Sequence, residues 1–131
     1  MRLWSHMTGK PIRILNVDDN EVQRYTTTRL LASAGFEVIE ACNAQEALRL
    51  ATNSIDLVFL DVDLPDIDGF ELTRILKSQT DTAGIPIIQA SAVFAAYSHM
   101  SDGLHNGAQA YFTFPLDADS LIRTVRNLTN N

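Results

Sequence analysis

The sequence predicts an α/β fold, an open doubly wound sheet of five parallel strands with helices on both faces. Three features lead there. Short apolar runs recur five times, each followed by a helical pattern, as repeated βα units require. Strands one, three and four are close to continuously hydrophobic, as parallel strands covered on both faces should be. The length of 131 residues, with 46% hydrophobic and 20% charged residues, suits one globular domain with a core large enough to need no disulfide.

The elements follow in order. Strand one is IRILNV, residues 12–17. Val22, Thr26 and Leu30 then recur at i, i+4 and i+8 before Gly35, which predicts a helix packed through that stripe and stopped by glycine. Strand two is EVIEA, 37–41, and Asn43 with Glu46 three residues on forms a capping box for a helix through Ala47, Leu48 and Ala51. Strand three is DLVFL, 56–60; Pro65 and Gly69 mark a turn, Asp68 is placed to cap the third helix, and Phe70, Ile75 and Leu76 give that helix its apolar face. Strand four is PIIQAS, 86–91. A fourth helix over about 94–106 is interrupted by Ser98, Ser101, Asp102 and Gly103 and is expected to be short or mobile. Strand five is AYFTF, 110–114, and Leu121, Ile122, Val125 and Leu128 stripe the last helix. Right-handed crossovers joining such units give a flavodoxin-like (βα)5 sheet in the order 2-1-3-4-5, whose ligand site lies at the carboxyl ends of the strands.

Residues 1–9, with Ser5-His6-Met7, read as a cloning scar or disordered leader, which leaves 10–131 as the domain. The net charge of -6 and pI near 4.8 argue against a surface that coats nucleic-acid phosphates. No apolar stretch approaches the roughly 18 to 20 residues of a membrane span. The single cysteine, Cys42, fits a reducing compartment and is expected to be a small, partly buried residue. The expected location is the cytoplasm.

The chemistry collects at the strand ends. Asp18 and Asp19 follow strand one, Asp61 and Asp63 follow strand three, Ser91 ends strand four, and Thr113, Phe114 and Pro115 close strand five. In the 2-1-3-4-5 order strands one and three are neighbours, so Asp18, Asp19 and Asp61 should converge although about forty residues separate them. Crowded carboxylates are costly unless protons or a cation neutralise them. Mg²⁺ suits such a site, since it takes one or two carboxylates and keeps room for a phosphate oxygen. Asp61 would then be placed to attack a phosphoryl group and form an aspartyl-phosphate, with Ser91 hydrogen-bonding the new oxygens. Asp66 and Asp68 are expected to shape the turn.

The acidic pair in "VDDN", the "LDVDLPDIDG" stretch, "ASA" with its hydroxyl residue before alanine, and "GAQAYFTFP" around strand five occur in order at the right strand ends. With these the chain resembles the receiver domains of two-component response regulators, from about Pro11 to Leu128. The resemblance implies that Asp61 is the phosphoacceptor, Asp19 a direct Mg²⁺ ligand, Asp18 a ligand largely through water, and the Asp63 backbone carbonyl a further ligand. It implies that Ser91 and Tyr111 move together when phosphate arrives. It also implies a histidine kinase or histidine phosphotransfer protein as donor, an output domain or kinase core in a longer parent chain, and a self-catalysed phosphoacceptor rather than a turnover enzyme.

One position departs from the pattern. Receivers carry a lysine immediately before the proline after strand five, and here that residue is Phe114. Phenylalanine cannot supply the compact charge that pairs with the acceptor and then with its phosphate. The Phe114-Pro115 bond is expected to be cis, as in the family. Phe114 motivates an alternative, a pseudo-receiver that keeps the fold as a docking module with weak or no phosphorylation. A third reading takes Asp61-Val62-Asp63 as the nucleophile pair of a small aspartyl-phosphate phosphatase, although that pair resembles one following the first strand of such enzymes.

Overall fold

The computed structural model describes residues 9–92 and 107–129. Five parallel strands, β1 (Arg13–Val17), β2 (Glu37–Ala41), β3 (Leu57–Asp61), β4 (Ile87–Ala92) and β5 (Ala110–Phe114), form one sheet in the order β2-β1-β3-β4-β5. The helices are α1 (Glu21–Ser33), α2 (Ala44–Leu50), α3 (Gly69–Ser78) and α4 (Ala118–Thr129). The expected helix over 94–106 lies outside the described residues. Among the described residues no helix is long and apolar enough to cross a membrane.

Strand alternation sends neighbouring side chains to opposite faces, and here both faces are apolar. Ile14, Leu57, Phe59 and Ile88 face Leu31 of α1 and Leu121 and Val125 of α4. Leu15, Val17, Val58, Leu60 and Ile87 face Ala44 and Ala47 of α2 and Leu72 and Leu76 of α3. Every residue of β3 is buried, which is why its sequence shows no alternation. The centre of the sheet is therefore sealed on both faces, and its carboxyl edge is where polar groups can reach solvent.

One helix, α1, presents a different face from the one its sequence suggests, while α3 keeps Leu76 and Phe70 on the core side. In α1, Val22 is 76% exposed and Thr26 is also exposed; the buried positions are Thr27 and Leu31. The reason is polar. Asn16 is fully buried in β1, and its amide donates to the Arg24 carbonyl and to Thr28 Oγ1, both at 3.1 Å. That buried amide draws the Arg24/Thr27/Thr28 side of α1 onto the sheet and turns Val22 outward. In α3 the buried residues are Leu72, Thr73 and Leu76, while Phe70 and Ile75 flank them half-buried. In α4, Leu121 and Val125 are buried, with Ile122 and Leu128 packed against the same core.

The turns use the signals expected of them. Gly35, with φ of +97°, follows α1 in the left-handed region. Asn43 accepts from the Glu46 N–H at 2.8 Å, and Glu46 in return accepts from the Cys42 N–H at 2.8 Å. Cys42 itself is exposed rather than partly buried, because the turn between β2 and α2 carries it outside the core. Gly69 opens α3 hard against β3. A Cβ there would lie 2.5 Å from both Leu60 Cδ1 and the Val62 Cα, so only glycine lets the helix start that close to the strand. The Phe114-Pro115 bond is cis.

Candidate functional site

The carboxyl edge of the central strands gathers the acids. Asp18 follows β1 directly, Asp61 is the last residue of β3, and the two strands are paired in register from Ile14↔Leu57 to Val17↔Leu60. One carboxylate oxygen from each of Asp18, Asp19 and Asp61 lies within 4.8 Å of the others. Asp18 and Asp61 are buried and Asp19 is exposed, so the cluster is a basin with two acids in its floor and one on its rim.

Each floor acid is held by hydrogen bonds. Asp18 Oδ1 accepts from the Asn20 N–H at 2.9 Å, and Asp61 Oδ1 accepts from the Asp63 N–H at 2.9 Å. The two remaining oxygens share one donor: Gln23 Nε2 donates to Asp18 Oδ2 at 2.8 Å and to Asp61 Oδ2 at 2.9 Å. The Arg24 guanidinium donates to the Asp18 backbone carbonyl at 2.9 Å and pairs with Glu40 at 2.9 Å. Burial pushes the Asp61 carboxyl up to about 7, helped by the charges of Asp18 and Asp63 and opposed by the Asp63 N–H and Gln23. Burial also raises Asp18, against the hydrogen bonds from Gln23 and Asn20. Such a site prefers to hold a proton or a cation. An all-oxygen, three-carboxylate donor set fits a hard divalent ion such as Mg²⁺.

The other predicted residues surround this basin. Ser91 is fully buried at the end of β4, one residue beyond Ala90, the partner of Asp61 in the sheet. Tyr111 comes from β5 opposite Gln89, and its buried hydroxyl lies near Ser91. Burial raises the Tyr111 phenol, with the charges of Asp63 and Asp61 adding to it and Ser91 opposing. Asp63 is exposed. Phe114 packs edge-on against Phe59 at a centroid distance of 6.4 Å and, with Pro115, lines a groove of about 730 Å³. Gln23, Asn20 and Val22 line the same groove.

Three contacts escape a reading of the sequence. Gln23 stands three residues after the helix cap Asn20, where a glutamine ordinarily turns back to the cap's own N–H. That N–H is already taken by Asp18, which frees the amide for the two acids. The Arg24 contact to the Asp18 carbonyl follows from the same turn. Asp66 does more than shape its own turn. Its two oxygens accept from the Ala44 N–H at 3.0 Å and the Gln45 N–H at 2.9 Å, capping α2 from the loop after β3. Those bonds hold its carboxyl below the usual range against the opposing effect of burial. Asp68 caps α3 through the Glu71 N–H at 2.8 Å, as its position suggests.

Known proteins share this arrangement. The response regulator receiver domain profile matches residues 14–126. The chain is 37% identical over 123 residues to the gliding motility regulatory protein of Myxococcus xanthus, a match covering 92% of this chain and 16% of that protein. It is 32% identical over 117 residues to protein PilH of Pseudomonas aeruginosa, covering 86% of this chain and 93% of PilH. It thus corresponds to a small part of the first relative and to nearly all of the second. Its fold superposes on the receiver domain of a sensor histidine kinase from Pseudomonas aeruginosa PAO1 with a TM-score of 0.82 at 26% identity, over 92% of this chain and 99% of the other. That structure has a magnesium ion coordinated in its active-site cleft. With the five-stranded parallel topology and the acidic basin at its carboxyl edge, the chain belongs to the response regulator receiver domain family of two-component signalling proteins.

Proposed function

We propose that residues 10–131 act as a phosphoacceptor unit in which Asp61 takes a phosphoryl group with Mg²⁺ in the acidic basin. The observation that carries this is the convergence of Asp18, Asp19 and Asp61 at the end of the central strands. Asp18, Asp19, the Asp61 carboxylate and the Asp63 carbonyl would hold the ion. Bound there, magnesium supplies positive charge to neutralise the acids and a Lewis-acid contact for a phosphoryl oxygen.

The chain's own residues do the rest. Asp61 must be ionised to attack, and its buried position makes it proton-hungry until charge nearby is compensated. Its carboxylate oxygen then bonds to phosphorus while the bond from phosphorus to the donor's imidazole nitrogen breaks. The electron pair returns to the ring, which leaves neutral because its other nitrogen carries a proton. A histidine kinase or histidine phosphotransfer protein fits as that donor. The Ser91 hydroxyl then donates to the added phosphoryl oxygens. The neighbouring Tyr111 hydroxyl follows it, and the β5 edge changes as a docking face for an output domain or kinase core in cytoplasmic signalling. The unit takes up phosphate once rather than turning over a substrate.

Phe114 favours a second reading, a docking module that keeps the fold and has lost effective phosphorylation. Incubation with acetyl phosphate and Mg²⁺ followed by intact-mass measurement separates the two. The expected result is a gain of one phosphoryl group, absent in Asp61→Ala. An unchanged wild-type mass supports the docking module instead.

A further inference from the structure

We infer that Gln23 is a positioning residue that supplies from α1 the hydrogen-bond donors other receivers draw from the lysine before the strand-five proline. This rests on the phosphoacceptor reading of Asp61. Three observations converge on it. One nitrogen reaches both floor acids, at 2.8 Å to Asp18 and 2.9 Å to Asp61, so both of its protons are committed to carboxylates that would otherwise face each other unbridged. The position that should bring an ammonium into the basin carries Phe114, whose ring turns to Phe59. Gln23 and Phe114 line one groove, so the donor borders the position where other receivers carry the lysine.

The local sequence makes the arrangement stable. Asn20 accepts from the Gln23 N–H at 2.9 Å, which fixes the first turn of α1, while Asp18 occupies the Asn20 N–H. The glutamine amide has no capping duty left and is aimed at the basin by the helix itself. The contrast with Asn43 and Glu46 is direct: there the acid at the same spacing does turn back, to the Cys42 N–H. Arg24, the next residue, is held by the Asp18 carbonyl and Glu40 and leaves this role to its neighbour.

An amide differs from an ammonium in one respect that matters. It gives hydrogen bonds without charge, so it orients Asp61 and keeps it apart from Asp18 but does not neutralise the pair. Gln23 therefore holds the acceptor oxygen in place for attack and leaves charge compensation to a cation.

The test is a double-mutant cycle on acetyl-phosphate labelling at fixed Mg²⁺, with melting temperatures recorded for every variant. Gln23→Ala should slow labelling by roughly tenfold or more, the usual weight of a hydrogen bond to a charged group. Phe114→Lys placed in the Gln23→Ala background should restore most of the lost rate, giving strongly non-additive effects. A role confined to the stability of α1 would not be rescued from β5. A second readout does not depend on turnover: the Gln23 side-chain amide resonance in a ¹H–¹⁵N spectrum should shift when Mg²⁺ and beryllofluoride are added. Labelling within twofold of wild type in Gln23→Ala, additive effects in the cycle, or an unmoved amide resonance would each overturn the role of Gln23 while wild type still labels. Failure of wild type to label or to respond to beryllofluoride removes the phosphoacceptor reading itself, and this inference with it.

Discussion

Asp61 shows how the burial of a single carboxyl sets the pH dependence of stability. Its folded carboxyl titrates near 7 because burial disfavours the charge, whereas the unfolded group titrates near 3.8. Folding therefore takes up a proton between about pH 4 and 7. The group's favourable contribution is full below that window and is lost as pH rises through 7. Asp61→Asn should raise the melting temperature at pH 8 by about 3–5 °C, corresponding to roughly 1 kcal/mol once solvent screening at the open rim is allowed for. At pH 5 the gain should shrink towards zero, and Mg²⁺ should stabilise wild type more than the variant. Equal melting temperatures at pH 8 would show that the basin is not strained. The acids of this site were legible in the sequence because strand order alone brings β1 and β3 together. Gln23 was not, because where its amide goes depends on whether Asp18 has already taken the Asn20 N–H, a contact that no spacing reveals.

At the scale of elements, the strands were readable to within a residue or so because each short apolar run is bounded by turn and helix signals, and strands one, three and four are nearly continuous. The face of α1 was less so. The stripe Val22, Thr26 and Leu30 looks like a packing face, yet the buried amide of Asn16 in β1 calls for polar partners and turns Arg24 and Thr28 towards the sheet instead. The loop from β3 to α3 shows the same blend. Asp68 caps the helix that follows it, as its sequence position suggests, but Asp66 caps α2, whose first residue is 22 positions earlier in the chain. That bond ties the loop carrying Asp63 to a second helix. Asp66→Ala should cost about 1 to 2 kcal/mol, the usual loss for a helix cap, and should speed amide exchange at Ala44 and Gln45. Asp68→Ala should cost about as much but expose α3. If Asp66→Ala leaves exchange at Ala44 and Gln45 unchanged, the cross-loop cap has no energetic weight.

The whole molecule is a plate with a graded interior. β3 is buried throughout and paired on both sides, and β1 and β4 are nearly so. β5 is an edge strand with every residue half-buried, and it carries both Tyr111 and Phe114. Local opening is cheapest where few apolar contacts and only one ladder must break. Among the described strands both edges, β2 and β5, meet that condition, and β5 is the edge that carries Tyr111 beside Ser91. Native-state hydrogen exchange should place β1, β3 and β4 in one cooperative unit that opens only with global unfolding. Amides of β5 should exchange through a smaller opening at least tenfold faster, a difference of about 1.4 kcal/mol. If Asp61 takes phosphate as proposed, adding Mg²⁺ and beryllofluoride should slow β5 selectively, because the Tyr111 hydroxyl on that edge lies near Ser91. Uniform protection across all five strands, or slowing confined to β1 and β3, would mean that phosphate at Asp61 has no privileged route to the β5 edge.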